Sequence, residues 1–448
     1  MTGPDSSPDS HLVRALGVWG LAASIVNVTI GGGIFRLPAG VASALGAWAP
    51  LAYVACTVAM GLIVLCFAEA GSRVSMTGGP YAYVEVAFGP FVGFLTGALL
   101  WVGITLALAA VSTFFADSIG ALFPALGTAG RKASLVVVLA ALAAANARGV
   151  AGISRFNAVT TVAKLLPLLL LVVVGAFAMR AENFAATAAP TGGAVARASV
   201  LLVFAFLGVE SALVPSGEVR DPARTVPRAV FLAMAAVALL YVVVQVVAQG
   251  LLGGRLAGDA TPLASAAGVA MGPGGRTLIL AGSTLSMFGY VSGMTLAVPR
   301  MLFALARDGF LPAPLAAVHS RWRTPHLAIY AQTAIVVALA LFGNFEKLAV
   351  AANSTVLIVY AACCVAVVEL RRRDVRAGGV PFRVPAARAV PWLALAVIGW
   401  ILWGLEAREW AAAGTIVAAA AVVYAATASA RRGRGSPGGA SDVASTAA

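Results

Sequence analysis

Apolar sequence recurs in this chain in runs long enough to cross a lipid bilayer, and that recurrence decides the fold class. Twelve runs stand between breakers, at approximately 16–44, 47–70, 86–116, 134–149, 155–179, 198–217, 227–253, 275–305, 326–342, 347–370, 389–405 and 410–428. A transmembrane helix needs about 20 such residues. Of the 448 residues, 61% are hydrophobic and only 10% charged, too little charge to clothe a soluble protein of this length. The expectation is an all-α polytopic membrane protein with 12 transmembrane helices. The opening residues, MTGPDSSPDSH, lack the basic start and small-residue cleavage site of a signal peptide, so the first run is read as a retained span.

The basic residues give an orientation. With a cytoplasmic N-terminus, 20 of the 30 lysines and arginines fall in inner loops and tails and 8 in outer loops. That is the bias of the positive-inside rule. It predicts a multi-pass protein of the cell membrane with both termini cytoplasmic. The net charge of +13 does not point to nucleic acid, because the basic residues are spread over short loops. The remaining two, Arg36 and Lys164, lie within spans.

Other chemistries find little to work with. Cys56, Cys66, Cys363 and Cys364 lie in apolar runs without CxxC spacing, and His11, His319 and His326 lie outside the interior of the runs, His326 at the very start of one. No disulfide framework, metal site or cofactor is expected. No GxxxxGK[ST] loop marks ATP-driven pumping. A membrane enzyme would need a catalytic dyad or metal cluster at membrane depth, and none is visible. A transporter-like sensor without turnover would bring a signalling domain, and nothing resembles one.

Two runs are interrupted where a spanning helix should be continuous. In NVTIGGGIFRLP (27–38) three glycines, Gly31, Gly32 and Gly33, precede Arg36 and Pro38. In VFAFLGVESALVPSGEVRDP (203–222) Gly208, Glu210 and Ser211 break the apolar run before Pro215. These are the first and sixth runs, each the first of five. That placement is what a five-plus-five inverted repeat gives, with two further helices appended, and paired discontinuous helices point to a transporter's binding site. Unwinding frees backbone N–H and C=O groups that something polar must meet. A carboxylate fits the N–H groups at the glycines and the positive end of the following half-helix. An ammonium fits the freed carbonyls of the sixth run. A zwitterionic α-amino acid suits the pair. The bland reading is that glycines in membrane helices serve close packing.

Four stretches resemble the amino acid–polyamine–organocation superfamily. IGGGIFRLP is similar to its first-span signature G-S/T-G-I-F, with Gly32 in place of the hydroxyl residue. TGGPYAYVEVAFGPFVGFLTGALLW (77–101), FAFLGVESALVPSGEVRDPARTVPRA (204–229) and RMLFALARDGFLPAPLAAVHSRWRTPHLAI (300–329) resemble the stretches entering span three, through span six and leaving span eight. The resemblance implies a leucine-transporter type fold with broken helices 1 and 6, and amino acid transport. It places a substrate carboxylate at Gly31, Gly32 and Gly33, on backbone N–H groups alone because the hydroxyl is missing. It places Phe204 as an aromatic lid over the substrate. Met294 stands where some exchangers of basic amino acids carry an aromatic residue, which weighs against an arginine or polyamine substrate. Phe206, Gly208 and Met294 complete the candidate substrate surroundings with Phe204. They offer apolar contact and favour a neutral amino acid, an acidic one remaining the alternative through Arg36.

The intramembrane charges are candidate coupling or gating residues. Lys164 sits mid-span in VTTVAKLLPLLLLVVV, where a lysine costs roughly 2.5–3.5 kcal/mol on insertion scales and is functional by default. The resemblance implies that its ammonium stands in for a sodium ion near the first break, so transport is expected to be sodium-independent, proton-coupled or exchanging. Glu210 either carries a proton or caps freed N–H groups. Arg36 lines the outer vestibule, pairs with an acid such as Glu210, or reaches the outer surface. Glu69 and Arg73, with Glu218, Arg220, Asp221 and Arg224, read as a solvated inner cluster or gate. The expected organisation is an N-terminal cytoplasmic tail (1–13), a first five-helix repeat (14–180), a second, inverted repeat (198–372), helices 11 and 12 (389–428) and a disordered cytoplasmic tail (429–448). The partners are an amino acid, the lipid bilayer and, for coupling, protons.

Overall fold

A computed structural model describes residues 17–74, 79–148, 153–185, 188–209, 219, 221–376, 380–384 and 386–427, with the backbone alone for 153–164 and 222–223. The tails expected at 1–13 and 429–448, and Glu210, Pro215, Glu218 and Arg220, lie outside the described residues.

Fourteen α-helices run through the described residues: α1 (Val18–Thr29), α2 (Gly33–Leu45), α3 (Ala49–Arg73), α4 (Pro80–Phe88), α5 (Pro90–Leu122), α6 (Gly127–Ala147), α7 (Ile153–Ala176), α8 (Gly192–Leu202), α9 (Pro222–Leu252), α10 (Pro262–Arg307), α11 (His326–Phe342), α12 (Phe345–Arg372), α13 (Val390–Trp403) and α14 (Ala407–Ala426). Seven helical stretches among the described residues are long and apolar enough to cross a membrane, and five shorter apolar helices accompany them. The protein is therefore an all-helical, polytopic membrane protein. Helix follows the expected runs, and the ninth, 326–342, matches to the residue. The eighth differs. Its helix starts at Pro262, not near 275, because Gly272 takes φ 71° and Pro273 restarts the helix beyond it. Glycine tolerates that angle and proline suits a first helical turn, so the Gly-Pro pair kinks a helix instead of ending a loop.

The bundle packs α5 along α12, α9 along α1 and α3, and α7 along α10. Lipid gives helices no hydrophobic reason to associate, so small residues and buried polar bonds decide these contacts. A Cβ on Gly103 of α5 would stand 2.7 Å from Val356 Cγ2 of α12, and one on Gly175 of α7 would stand 2.6 Å from Val247 Cγ1 of α9. Gln332 of α11 accepts from the Trp101 indole at 3.0 Å and donates to Thr105 at 3.0 Å, clamping α11 to α5.

Helix α12 measures the bundle. Glu346 lies in its first turn and Arg371 in its last. At 1.5 Å per residue they stand about 38 Å apart, and each belongs to an ion-pair network described below. The two ends of the bundle are named here after Arg36 and Glu69.

Candidate functional site

The two interrupted runs break as helices and meet. Helix α1 stops at Thr29, Gly31 and Gly32 carry the chain across, and α2 restarts at Gly33. The Gly31 N–H turns back to the Thr29 carbonyl at 2.8 Å. The first N–H groups of a helix have no intrahelical partner, and no side chain caps α2, because its N-cap is Gly32. Helix α8 ends at Leu202, tightens to a 3₁₀ turn over Val203–Phe206, and leaves helical geometry at Leu207. Gly208 then takes φ 114°, and a Cβ there would lie 2.8 Å from Val28 Cγ1 and 3.2 Å from the Val28 backbone. Both its angle and its contact require glycine.

The freed carbonyls are met by two side chains that the sequence did not single out. Tyr241 of α9, fully buried, has its hydroxyl 3.0 Å from the Thr29 carbonyl and 2.9 Å from the Ala205 carbonyl. Asn353 of α12, equally buried, donates its Nδ2 to the Val200 carbonyl at 2.6 Å and to that of Leu201 at 3.4 Å. Each obeys the requirement that a carbonyl inside a membrane find a donor. The expectation that the sixth run's carbonyls await a ligand's ammonium is corrected to this extent: protein donors already reach the carbonyls of Val200, Leu201 and Ala205.

The glycines are also more enclosed than a simple access channel. A Cβ on Gly33 would meet Phe204 Cδ1 at 3.1 Å and Ala205 Cα at 3.5 Å, and one on Gly32 would meet Met287 Cγ at 3.0 Å and Val111 Cγ1 at 3.2 Å. On Gly31 it would reach Tyr290 at an ordinary 3.6 Å. Close packing and backbone access therefore both operate here. Phe204 lies over Gly33 and packs edge-on against Phe345 at 5.3 Å between ring centroids, and Phe345 in turn lies 5.9 Å from Phe114. Phe206 is fully buried and packs edge-on against Tyr241 at 5.4 Å.

Beyond that aromatic layer lies a cavity of about 250 Å³, lined among others by Arg36, Asp117, Arg131, Lys132, Phe345 and Glu346. Arg36 does not reach freely to the surface, and Glu210, its other expected partner, lies outside the described residues. Its Nη2 and Nε both donate to Glu346 Oε1, at 2.8 and 3.1 Å, and its Nη1 donates to the Asp259 carbonyl at 3.2 Å. Its side chain is 19% exposed. The physical reason is proximity: α12 starts beside α2 and offers a carboxylate in its first turn.

At the other end the expected solvated cluster is buried. Glu69 is 0% exposed and accepts from Arg73 at 3.0 Å, from Arg371 at 2.7 and 2.6 Å, and from the Val384 N–H at 3.1 Å. Ser72 accepts from the Phe382 N–H at 3.0 Å, and Arg371 donates to the Ala387 carbonyl. The segment between α12 and α13 is thus tied across the ends of α3 and α12. A carboxylate this deep is tolerable only with such partners. Asp221 and Arg224, by contrast, form an exposed pair at 3.8 Å.

A family model described as amino acid permease matches residues 16–431. The chain belongs to the amino acid permease family. Among its relatives from Bacillus subtilis (strain 168) are a methylthioribose transporter, 26% identical over 93% of this chain and 94% of the relative; a serine/threonine exchanger, 29% identical over 87% and 90%; and a branched-chain amino acid permease, 26% identical over 87% and 88%. The family consists of transporters, so this permease is a transporter and not an enzyme.

In the permease, Gly31, Gly32, Gly33, Phe204, Phe206 and Gly208 come together around the two breaks. Met294 lies one helical turn past Tyr290 on α10 and packs both against the core cluster that holds Phe204 and Phe206 and toward Leu99, Leu100 and Ile104 of α5. Lys164 lies in the middle of α7, and its side chain is outside the described residues, as is Glu210. Tyr241 and Asn353 were the missed residues. The available signal was a polar side chain inside an apolar run, which is costly in lipid unless it has a partner.

Proposed function

We propose that this permease is a secondary transporter that carries a neutral amino acid across the cell membrane by alternating access, without sodium. The observation that carries the reading is the junction of the two breaks, where the start of α2, which no side chain caps, lies beside the Thr29 and Ala205 carbonyls that Tyr241 joins. A carboxylate at Gly31–Gly33 and an ammonium near those carbonyls use both. Phe204 and Phe206 supply apolar contact for a side chain. A side-chain charge in such surroundings would cost several kcal/mol unless paired. The names of the serine/threonine exchanger and the branched-chain permease fit a neutral substrate.

The remaining parts follow from the sequence. Twelve spans arranged as five plus five inverted and two appended, with both termini cytoplasmic, put the Arg36 end outside and the Glu69 end inside. Lys164 supplies a fixed cation on α7, which packs against α9 and α10. Glu210 is the candidate proton carrier, and Glu210→Gln then flattens the dependence of uptake on outside pH.

The test is uptake into proteoliposomes of labelled leucine, serine, threonine, alanine, glutamate, arginine and methylthioribose, with and without internal amino acid and a pH gradient. Uptake of neutral members, unaffected by replacing sodium with choline, supports the proposal. Stimulation by internal amino acid identifies exchange, and stimulation by outside acid identifies proton coupling. Preferential uptake of arginine, glutamate or methylthioribose overturns the neutral-substrate reading.

A further inference from the structure

The stretch that joins α12 to α13 carries more positive charge than its surroundings neutralise. From Arg371 to Arg388 the sequence places six arginines and one aspartate. The structure shows which of them are engaged. Arg371 is taken up by the buried Glu69, together with Arg73. Arg372 and Arg373 share Glu369, in the last turn of α12, at 2.8 and 2.6 Å. Arg376 donates to Asp374 at 2.6 Å, and Arg73 and Arg383 act on the same carboxylate from farther off. Arg383 and Arg388 are exposed and form no ion pair among the described residues. Seven arginines, counting Arg73, thus meet the three carboxylates Glu69, Glu369 and Asp374, an excess of four positive charges. The same stretch exposes apolar groups. Val380 is 84% exposed, and Trp392, in the first turn of α13, is 61% exposed. Spare arginines alone would suit any polyanion. Spare arginines beside an exposed valine and tryptophan, at the foot of a membrane helix, suit the headgroup layer, where tryptophan concentrates and basic side chains meet phosphates.

We propose that the segment between α12 and α13 is a docking surface for an anionic phospholipid, whose phosphate is held by Arg383 and Arg388 while Val380 and Trp392 meet its acyl chains. Guanidinium groups bind phosphate through paired, charge-assisted hydrogen bonds, which are the strong ones. The consequence runs through Glu69. Phe382, the residue before Arg383, donates its N–H to Ser72, and Val384, the residue after it, donates to Glu69. Ala387, the residue before Arg388, accepts from Arg371. Each proposed lipid contact is therefore one residue from a bond that ties the segment to α3 or α12. Phe382 also packs edge-on against Phe231 of α9, at 5.9 Å between ring centroids. A lipid that holds the two arginines steadies these bonds, and the docked segment then keeps α3, α9 and α12 together at the Glu69 end. The assignment to the cytoplasmic leaflet, the more anionic one, rests on the orientation proposed above.

The test is binding of dioleoyl phosphatidylglycerol and of dioleoyl phosphatidylcholine to the purified, delipidated full chain, followed by native mass spectrometry. One arginine near an anionic surface is worth about fivefold in affinity. The wild type is therefore expected to prefer phosphatidylglycerol by about 25-fold, and the double variant Arg383→Gln, Arg388→Gln to lose that preference. Both side chains are exposed and unpaired, so the variant keeps its fold, and its melting temperature in detergent checks this. Arg255→Gln, which removes an exposed charge at the Arg36 end, should leave the preference unchanged. Phosphatidylglycerol should also slow hydrogen exchange of the backbone over 380–384 in the wild type and not in the double variant. Equal binding of the two lipids, or a preference that survives in the double variant, overturns the site. An equal loss in Arg255→Gln overturns it in favour of a general charge effect. Displacement of the lipid by millimolar inorganic phosphate overturns the lipid in favour of a free anion. Lipid binding without slower exchange overturns the link to Glu69. No transported substrate enters the experiment, so its failure is distinct from a failure of the transport reading.

Discussion

Tyr241 stands with its hydroxyl 3.0 Å from the carbonyl of Thr29, the last residue of α1, and the same oxygen lies 2.9 Å from the carbonyl of Ala205. One hydroxyl has one proton to donate. It serves one of these carbonyls at a time, and a movement of either broken helix changes which is favoured. Tyr241→Phe keeps the ring against Phe206 and removes only the proton. It should lower thermal stability by an amount equivalent to about 1–3 kcal/mol, the usual cost of a buried acceptor left unmet, and reduce uptake. A thermal melt in detergent and an uptake assay check the two separately. Unchanged values in both would mean that water replaces the hydroxyl and that the bridge has no role.

Asn353 provides a parallel case on the other side of the sixth run. Its Nδ2 reaches the carbonyls of Val200 and Leu201 just before the 3₁₀ turn. Asn353→Leu preserves bulk and removes the donor. The melting temperature should fall, and uptake should fall with it because the break loses its support. Asn353→Gln, which retains an amide, should recover part of both. A variant that melts like the wild type would show that the turn holds without the amide.

These two residues mark where sequence reading stopped. The breaks at Gly31–Gly33 and Gly208 were legible because glycine and charge inside a spanning run violate the only rule such a run has to obey. The partners of the breaks were not legible, because Tyr241 and Asn353 lie far away in the chain and each is a single polar residue in an otherwise apolar helix. Arg36 illustrates the same limit. Its position on α2 was clear, but its pairing with Glu346, 310 residues away, is a tertiary fact. The kink at Gly272 escaped for a local reason. A Gly-Pro pair is a turn signal, and the same chemistry can also join two helices end to end.

The three glycines are expected to differ. A Cβ at Gly31 meets Tyr290 at 3.6 Å, whereas one at Gly33 meets Phe204 at 3.1 Å and the Ala205 backbone at 3.5 Å. Gly31→Ala should therefore fold, so any loss of binding reports on access to the backbone. Gly33→Val should displace Phe204 and abolish binding at the break. Binding isotherms on monodisperse protein distinguish the outcomes. Wild-type affinity in Gly33→Val would remove the break from the binding site.

Glu69 should matter for stability more than for binding. It is fully buried and holds Arg73, Arg371 and the Val384 N–H. Breaking a buried ion pair from one side strands the remaining charges, at a cost of about 3–5 kcal/mol. Glu69→Gln should lower the melting temperature sharply. Glu69→Asp, which keeps the charge but shortens the reach, should fall between the two. Because the network also ties the segment after α12 to α3, the protein that survives should show faster proteolysis of that segment. A Glu69→Gln variant as stable as the wild type would show that the arginines find other partners.

Lys164 carries the last prediction. It is the twelfth residue of α7, Ile153–Ala176, so about 17 Å of helix lies on either side of it. An ammonium at that depth costs roughly 2.5–3.5 kcal/mol to insert, and the long apolar stretch after it, LLPLLLLVVV, makes escape to that interface a long reach. On the proposed reading that charge supplies a positive centre for the carbonyl-rich ends of the broken helices. α7 packs against both α9, which bears Tyr241, and α10, which bears Tyr290. Uptake should therefore continue when sodium is replaced by choline at constant ionic strength. Lys164→Ala should abolish it without loss of expression or monodispersity, and Lys164→Arg, which keeps the charge in a bulkier fork, should restore little. Uptake that requires sodium in the wild type, or that persists in Lys164→Ala, would assign the cation's work to another group.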